Sequence, residues 1–344
     1  MSSLPFANAV QPVSQFLKRL TTVRTQEAKV TVGLDVGSAS VKAIALGSRK
    51  GAGVRPMLGQ SCVPLEAAQQ TDPSEVIKTA LAQLGTSVDV VNLAVSGPWV
   101  IIRIIELPSM SPAEVKQALP FEAQRYLPFN LQDVVIDGAM LGPAEANKIW
   151  VLIVACKKEL IERRVDWVRR AGVEVGLIDV DALALANGFL AGVQGARKDQ
   201  TCALMNVGAQ LTSLVIFQGE VPYLVRDIPW GGDKLIRNAA EQVGVDAADV
   251  SKDLVEGQCS PEVLSAFTIS TETLITELQL SFDYFENRLG QPPETVLVSG
   301  GLSQSGSFLQ ALKNHLTQTV TPWAPVQGLS GQFAVAYGLA LRKN

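Results

Sequence analysis

The stretch VTVGLDVGSASVKAIAL, residues 30–46, decides the fold class. Its two runs of apolar and β-branched residues predict two strands, and the short Gly/Ser segment between them predicts a tight turn. Asp35 ends the first run, and Lys42 lies on the second. A turn of small residues lets a phosphate group approach its backbone N–H groups. The segment therefore predicts a phosphate-binding hairpin, and a plain hairpin with an incidental aspartate is the alternative.

A second unit with the same order of features occurs at residues 202–217, CALMNVGAQLTSLVIF. An apolar run is followed by Asn206, a turn at Gly208 and a second apolar run. Asn206 takes the place that Asp35 takes in the first unit. Two such units predict a duplicated architecture, in which the second turn holds the same ligand from the opposite side.

The order of the remaining elements narrows the fold. A helix follows Gly231–Gly232, and a buried strand, Gly300–Gly301 and another helix come later. A glycine pair behind a buried strand lets the backbone pass close to an adenine ring, although each such turn alone is common in α/β proteins. Together the elements resemble the two-lobed nucleotide clamp of the actin, hexokinase and Hsp70 class. We therefore expect an α/β, actin-like ATPase (ribonuclease H-like) fold; the sequence has no P-loop, G-x-G-x-x-G or G-x-S-x-G motif.

The composition excludes several function classes. The 344 residues are 47% hydrophobic and 18% charged, and the net charge of −4 gives no reason to expect nucleic-acid binding. The single histidine, His315, makes a zinc site or a Ser-His-Asp triad hard to build. The four cysteines form no CxxC pair, which predicts buried free thiols and a reducing cytosol.

Residues 1–27 precede the first predicted strand. Within them, residues 13–20 place Val13, Phe16, Leu17 and Leu20 on one helical face. This segment either docks on a membrane surface or a partner, or packs on its own domain, and its shortness favours the second interpretation. The residues lack the pattern of a secretory signal, and the chain has no run of about 18 apolar residues that predicts a membrane span.

Five further stretches carry a resemblance to one family. The chain resembles the PilM family, actin-like cytoplasmic proteins of type IV pilus assembly, and more distantly FtsA and the cytoplasmic domain of the type II secretion protein GspL. The resemblance covers nearly all residues from about 30 to the end, and its most specific part is the YLPF element at residues 126–129. The stretches are MSPAEVKQALPFEAQRYLPFNLQDVVID (110–137), LIDVDALALANGFL (177–190), RDIPWGGDKL (226–235), LITELQLSFDYF (274–285) and VLVSGGLSQSGSFLQAL (296–312).

The resemblance implies four subdomains, one of them an inserted FtsA-type (SHS2) subdomain called 1C. They follow a leader at residues 1–27. The implied boundaries are 28–97 plus 179–200 for subdomain 1A, 98–178 for 1C, 201–225 plus 295–344 for 2A, and 226–294 for 2B.

The turns and the resemblance together imply ATP and Mg²⁺ as ligands between the lobes, with Asp35 as the metal ligand through water. The expected nucleotide contacts are Asp35, Gly37, Ser38, Ser40, Lys42, Asn206, Gly208, Gln210, Thr212, Gly232, Lys234, Gly300 and Gly301. The resemblance also implies a groove between 1A and 1C for the cytoplasmic tail of a PilN-like inner-membrane protein. The expected groove residues are Phe121, Tyr126 and Phe129, although each could simply pack the subdomain. The implied role is a scaffold at the inner face of the inner membrane, with pilus motor components as further partners.

Two departures from the family pattern concern the nucleotide. Asn206 stands where the family usually has an aspartate, so it brings no negative charge to a metal or a water molecule. The stretch AADVSKDLVEG places Lys252 and Val255 where the family normally has an acidic residue and a lysine near the ribose and adenine. Both changes predict weaker ATP binding, and the first predicts weak or absent hydrolysis.

Two alternative functions share this fold. A small-molecule kinase needs a general base beside its acceptor, and no carboxylate with a matching motif is present. An FtsA-like filament former needs a membrane-binding end. The C-terminal helix FAVAYGLALR is apolar all round and predicts a core element, so residues 13–20 remain the candidate.

Overall fold

The structure is a computed structural model that describes residues 30–48, 55–192 and 200–342. The leader at residues 1–27, with the amphipathic segment at 13–20, lies outside the described residues, as does the side chain of Val255. The strands are β1 Val30–Val36, β2 Ser40–Gly47, β3 Met57–Pro64, β4 Val90–Val95, β5 Val100–Pro108, β6 Val134–Ala144, β7 Lys148–Lys157, β8 Glu174–Val180, β9 Thr201–Val207, β10 Thr212–Gln218, β11 Val221–Ile228, β12 Thr295–Gly300 and β13 Thr319–Pro322. The α-helices are α1 Ser74–Ala82, α2 Pro112–Gln124, α3 Lys158–Arg170, α4 Asp181–Gly192, α5 Gly232–Val243, α6 Ala247–Glu256, α7 Pro261–Leu289, α8 Gly306–His315 and α9 Ala334–Leu341.

Two five-stranded sheets have the same internal order. The first sheet runs β3-β2-β1-β4-β8, and the second sheet runs β11-β10-β9-β12-β13. In each, an antiparallel hairpin, β1–β2 or β9–β10, is extended by parallel strands on one side. The duplicated architecture predicted from the two strand–turn–strand units is therefore confirmed.

The two hairpins also agree in register. Asp35 of β1 lies opposite Lys42 of β2, and Asn206 of β9 lies opposite Ser213 of β10. Each polar residue is the last but one of its strand. Asp35 and Asn206 are thus equivalent positions of the duplicated fold, as the sequence indicates.

A third sheet, of order β5-β7-β6, is inserted between β4 and β8 of the first sheet. Helix α2 packs on β6 and β7 through Val115 and Leu119. The sequence Ser-Pro-Ala-Glu at residues 111–114 predicts a capping box at its start. The structure confirms it, because the Ser111 side chain accepts from the Glu114 backbone N–H while the Glu114 carboxylate accepts from the Ser111 backbone N–H. Such reciprocal bonds satisfy two of the donors that a helix start leaves unpaired.

Helix α7 starts earlier than the sequence predicts. The apolar spacing of Leu274, Leu278, Phe282 and Phe285 predicts a helix from about Thr271, but α7 begins at Pro261. The Ser260 side chain accepts from the backbone N–H of Val263, and proline suits the first helical position. The Ser260 cap lies eleven residues before Thr271, so the predicted start of this helix is wrong.

The last helix, α9, packs against β1 and α4 in the interior, as predicted for a core element. All its residues from Ala334 to Ala340 are buried. A side chain at Gly33 of β1 would collide with the backbone of α9, and one at Gly338 would collide with α4. The end of α9 is held by Arg342, whose guanidinium donates to buried Asp179 at 2.7 Å.

The four cysteines are free. Cys156 is buried, Cys202 and Cys259 are half-buried, and Cys62 is exposed on β3. The prediction of buried thiols is therefore wrong for Cys62, because β3 leaves most of its side chains accessible.

Candidate functional site

The carboxyl ends of β1, β4 and β8 lie at one edge of the first sheet, because these strands are parallel. Asp35, Ser96 and Asp181 therefore come together there, since each lies at or just after its strand's end. Ligands of open α/β sheets bind at such an edge. Asn206 and Gly300 end the parallel strands β9 and β12 of the second sheet. We call the region where these two edges meet the cleft.

A hydrogen bond crosses the cleft. The backbone N–H of Gly97, just after β4, donates to Oδ2 of Asp227 on β11 at 2.9 Å. The other carboxylate oxygen of Asp227 accepts from the Ser213 hydroxyl at 2.8 Å. Burial raises the pKa of Asp227, and both bonds oppose that rise. Asp227 therefore joins the second sheet to the chain that leaves the first.

Asp181 is the most perturbed carboxyl of the cleft. Burial, and after it the negative charge of Asp35, raise its pKa to about 7. The Arg164 guanidinium and a hydrogen bond from Ser96 oppose the rise, and Asp227 adds to it. Asp181 is the first residue of α4 and directly follows β8, so it lies at the edge of the first sheet where the parallel strands end. A cation placed here would relieve this repulsion.

Arg164 reaches the cleft from α3. Its Nη1 donates to the Val36 carbonyl, the last residue of β1, at 2.7 Å. Burial lowers the pKa of Arg164, while Asp181 and Asp35 raise it. Among the described residues its buried Nε has no hydrogen-bond partner. The positive charge of Arg164 therefore partly offsets the negative charges of Asp35 and Asp181.

The first predicted phosphate turn has the expected hairpin geometry. The Gly37 N–H donates to the Ser40 carbonyl at 3.1 Å, and Ser38 and Ser40 are half-buried. Lys42 and Asp35 form a cross-strand ion pair, with Nζ 3.4 Å from Oδ2. All five predicted residues of this turn are thus together at the cleft, and their contact with a phosphate stays a prediction.

The second turn packs on the start of α5. The Gly208 N–H donates to the Leu211 carbonyl at 2.9 Å, and the Gly208 carbonyl accepts from the Gly232 N–H at 2.9 Å. Gln210 is exposed, whereas Thr212 is fully buried and donates its hydroxyl to the Trp230 carbonyl. This placement favours a bracing role for Thr212 over ligand contact.

Asn206 joins β9 to β12, because its Oδ1 accepts from the Ser299 hydroxyl at 3.3 Å. Gly300 has φ +88°, and a side chain there would collide with the Val207 carbonyl, so only glycine fits this approach. Gly301 faces open space, and Lys234 is half-buried in the first turn of α5. These four residues lie in the cleft or at its border, on the side of the second sheet.

The acidic character of the cleft fits Mg²⁺ held through water and phosphate oxygens. Within residues 30–48, 55–192 and 200–342, no three His, Cys, Asp or Glu side chains are placed to hold a metal ion directly. Mg²⁺ usually takes only one or two protein carboxylates and keeps several waters. Asp35 and the mutually repelling Asp181 suit that mode, so the donor set fits a hydrated ion accompanied by phosphates.

A second surface lies on the inserted sheet. Phe121 and Tyr126 are exposed at 75% and 39%. Phe129 lies 5.7 Å from Trp99, ring to ring, and the Lys157 ammonium lies 3.8 Å from the Trp99 ring centre. Phe129 and Lys157 also line a hollow of about 460 Å³, together with Leu127, Pro128, Asn130 and Asp133. Of the three predicted groove residues, Phe129 lines this hollow, whereas Phe121 and Tyr126 do not.

The family of this chain follows from its sequence over nearly its full length. The family of type IV pilus assembly protein PilM matches residues 33–344. The chain belongs to the PilM family.

Solved structures agree with this PilM membership in fold. A PilM–PilN type IV pilus biogenesis complex is similar with a TM-score of 0.80 and 23% identity, over 92% of this chain and 98% of that one. The ethanolamine utilization protein EutJ from Carboxydothermus hydrogenoformans gives a TM-score of 0.54 at 14% identity, over 94% of both chains. A diol dehydratase-reactivating factor gives 0.54 at 10% identity, over 91% and 99%. The fold is the actin-like ATPase fold. No helix among the described residues has the length and apolar character to cross a membrane.

Several residues of these two sites were not identified from sequence motifs, including those of the PilM family. Asp181 had a usable signal, because it directly follows the strand residues 177–180. Arg164 and Asp227 had none, since they reach the cleft from other elements. Trp99 and Lys157 lie 58 positions apart in the sequence and meet only because β5 pairs with β7.

Proposed function

We propose that this chain is the actin-like scaffold of a type IV pilus assembly platform in the cytoplasm, at the inner face of the inner membrane. It binds ATP with Mg²⁺ in the cleft and the cytoplasmic tail of a PilN-like membrane protein on the inserted sheet. The observation that carries this proposal is the match to the PilM family over residues 33–344, with a PilM–PilN complex as a structural neighbour. The subdomains 1A, 1C, 2A and 2B keep the boundaries given above.

The proposal that the cleft binds ATP is supported by the two glycine-containing turns. Backbone N–H groups near Gly37 and Gly208 supply donors to a polyphosphate, and Lys42 supplies a positive charge. Bound Mg²⁺ would neutralise phosphate charge and offset the repulsion between Asp35 and Asp181. Asn206 bonds Ser299 and carries no charge, which supports a structural use of ATP with little turnover.

The partner half rests on the aromatic hollow. An exposed aromatic cluster beside a polar cavity suits an extended apolar peptide with a few polar groups. Trp99, which packs against Phe129, is exposed at 42%, and Tyr126, which precedes Leu127 of the hollow's lining, is exposed at 39%. Exposed apolar surface that is contiguous often marks a protein interaction site. Motor components remain further candidate partners for other faces of the chain.

Thermal unfolding with Mg-ATP tests the nucleotide half. A ligand at one hundred times its Kd stabilises the folded state by about 2.7 kcal/mol, so the melting temperature should rise. Lys42→Met should abolish most of that rise, whereas Lys313→Met, which removes an exposed lysine on α8, should keep it. No rise for the unchanged chain at millimolar Mg-ATP would reject ATP as the ligand and leave the scaffold role standing.

Peptide binding tests the partner half. The probe is a synthetic peptide with the sequence of the N-terminal cytoplasmic tail of a PilN-like membrane protein from the same organism. Phe129→Ala and Phe121→Ala should each weaken binding of the peptide. The larger of the two effects should raise the Kd roughly 30-fold, or by about 2 kcal/mol. Leu280→Ala removes an exposed apolar side chain of α7 and is the control. Equal affinities for all variants would place the tail elsewhere.

A further inference from the structure

A four-residue segment connects the cleft to the aromatic hollow. Residues 96–99, SGPW, leave the carboxyl end of β4 and enter β5. We call them the connecting segment. Its two ends are at most roughly 14 Å apart along the chain, since an extended residue spans about 3.5 Å.

The first end of the connecting segment is bonded to a cleft carboxylate. The Gly97 N–H donates across to Asp227 of the second sheet at 2.9 Å, and Asp227 is itself fixed by Ser213. Ser96, the preceding residue, lies beside Asp181 of the first sheet's edge. A change in the angle between the two sheets therefore acts directly on Gly97.

The other end of the connecting segment packs against two residues that line the hollow, Phe129 and Lys157. The Trp99 ring lies 5.7 Å from the Phe129 ring, and the Lys157 ammonium lies 3.8 Å and 4.6 Å from the two ring centres. The Trp99 carbonyl also accepts from the Lys157 N–H at 3.1 Å. Movement of Trp99 therefore shifts two residues of the wall against which a peptide would pack.

The segment between these ends is stiff. Gly97 has φ +92°, a conformation that other L-residues rarely adopt, and its carbonyl accepts from the Val100 N–H at 3.0 Å. Pro98 fixes its own φ angle. A short, conformationally restricted segment transmits a displacement, whereas a flexible loop absorbs it.

We propose that the connecting segment couples the two sites: Asp227, through Gly97 and Pro98, sets the position of Trp99, so that nucleotide in the cleft changes the affinity of the hollow for the partner tail. This proposal rests on the proposed function. Coupling of this kind is reciprocal, so the tail changes the affinity for nucleotide by the same factor.

A fluorine NMR measurement on the full chain tests the mechanical link without any ligand. The chain has five tryptophans, and 5-fluorotryptophan labelling gives each a resonance, with Trp99 assigned from Trp99→Phe. Asp227→Ala should shift or broaden the Trp99 resonance. Asp227→Asn keeps an acceptor for the Gly97 N–H and should leave it in place. Asp89→Ala, which removes an exposed carboxylate, is the control. An unmoved Trp99 resonance in a folded Asp227→Ala chain overturns the proposal.

Binding measurements then test the thermodynamic link. The tail peptide is titrated with and without saturating Mg-AMP-PNP, and the affinity ratio for the unchanged chain should differ from one by about fivefold or more. Asp227→Ala should bring the ratio clearly closer to one while both ligands still bind, and so should Pro98→Gly, which loosens the segment without touching either site. A ratio of one in the unchanged chain, or a ratio that both variants keep, overturns the coupling. Absence of peptide or nucleotide binding by the unchanged chain contradicts the proposed function instead, and the fluorine measurement then decides the link by itself.

Discussion

Replacing Asp181 by asparagine should stabilise the ligand-free protein, and the gain should grow with pH. The carboxyl group is enclosed beside Asp35, and burial with this negative neighbour raises its pKa to about 7 in the folded state. In the unfolded chain its pKa is 3.8. A carboxyl group whose pKa is raised by folding stabilises the protein below the unfolded pKa, and that stability is lost as the pH rises to the folded pKa. Asparagine has the same shape and never ionises.

The size of the effect follows from the two pKa values. At 1.36 kcal/mol per pKa unit, the cost of ionised Asp181 is about 0.6 kcal/mol at pH 4, about 1.7 at pH 5 and about 4 at pH 7. The attraction of Arg164 is already part of that pKa. Because the side chain is only half-buried, solvent screening reduces these values, and we expect about 2 kcal/mol between pH 4.5 and 8.

Urea denaturation of both chains in EDTA, followed by tryptophan fluorescence at pH 4.5, 6, 7 and 8, measures the difference in the free energy of unfolding. Titrating groups that do not interact with Asp181 are shared, so their contributions cancel, and the interaction with Asp35 is part of the measured difference. With Mg-ATP the order should reverse, because the carboxylate then faces a cation. A gain that is the same at pH 4.5 and pH 8, or a less stable Asp181→Asn chain at pH 8, would refute the reasoning.

Two further predictions concern the buried last helix. Gly338→Ala places a methyl group against the backbone of α4 and should cost about 3 kcal/mol or more in the free energy of unfolding, whereas Gly306→Ala, which faces open space, should be neutral or slightly stabilising in the same urea assay. Equal effects would contradict the close approach. Arg342→Met leaves Asp179 buried without its counter-ion and should cost about 3–5 kcal/mol at pH 8, less at pH 4, where Asp179 takes up a proton because burial raises its pKa. Arg169→Met breaks an exposed ion pair and should cost less than about 1 kcal/mol, so similar losses for both arginines would reject the buried pair.

The sequence predicts the duplicated hairpins because their signals are local. Residues 30–46 and 202–217 contain strand-forming runs and turn residues at matched spacing, and both hairpins form in the structure. The capped start of α2 and the buried last helix are confirmed for the same reason. In these segments, propensity, turn chemistry and apolar pattern agree, which makes a local prediction dependable.

Edge strands and contacts across the cleft lie beyond such prediction. Strand β3, MLGQSCVP, has no apolar alternation and forms because the free edge of β2 offers it backbone partners. The bond from Gly97 to Asp227 joins residues 130 positions apart, and the pair of Arg342 and Asp179 spans 163. Their proximity depends on how the sheets pack, and no spacing rule in the sequence encodes it.

The inserted sheet is part of the main core, and this limits how the scaffold moves. Val100, Trp150 and Leu152 of that sheet share one buried cluster with Phe189 of α4 and Phe217 of the second sheet. Close-packed interiors change between discrete arrangements and resist gradual deformation.

A nucleotide that closes the cleft must therefore shift the second sheet against the inserted sheet as well as against the first. Arg288 of α7 lies across this contact, with its guanidinium carbon 4.0 Å from the Trp150 ring centre and its Nη1 donating to the Ile104 carbonyl. An inserted subdomain that packed only on the first sheet would not be affected by movement of the second sheet. Packed in this way, the partner surface moves together with the two sheets, a property that suits the proposed scaffold.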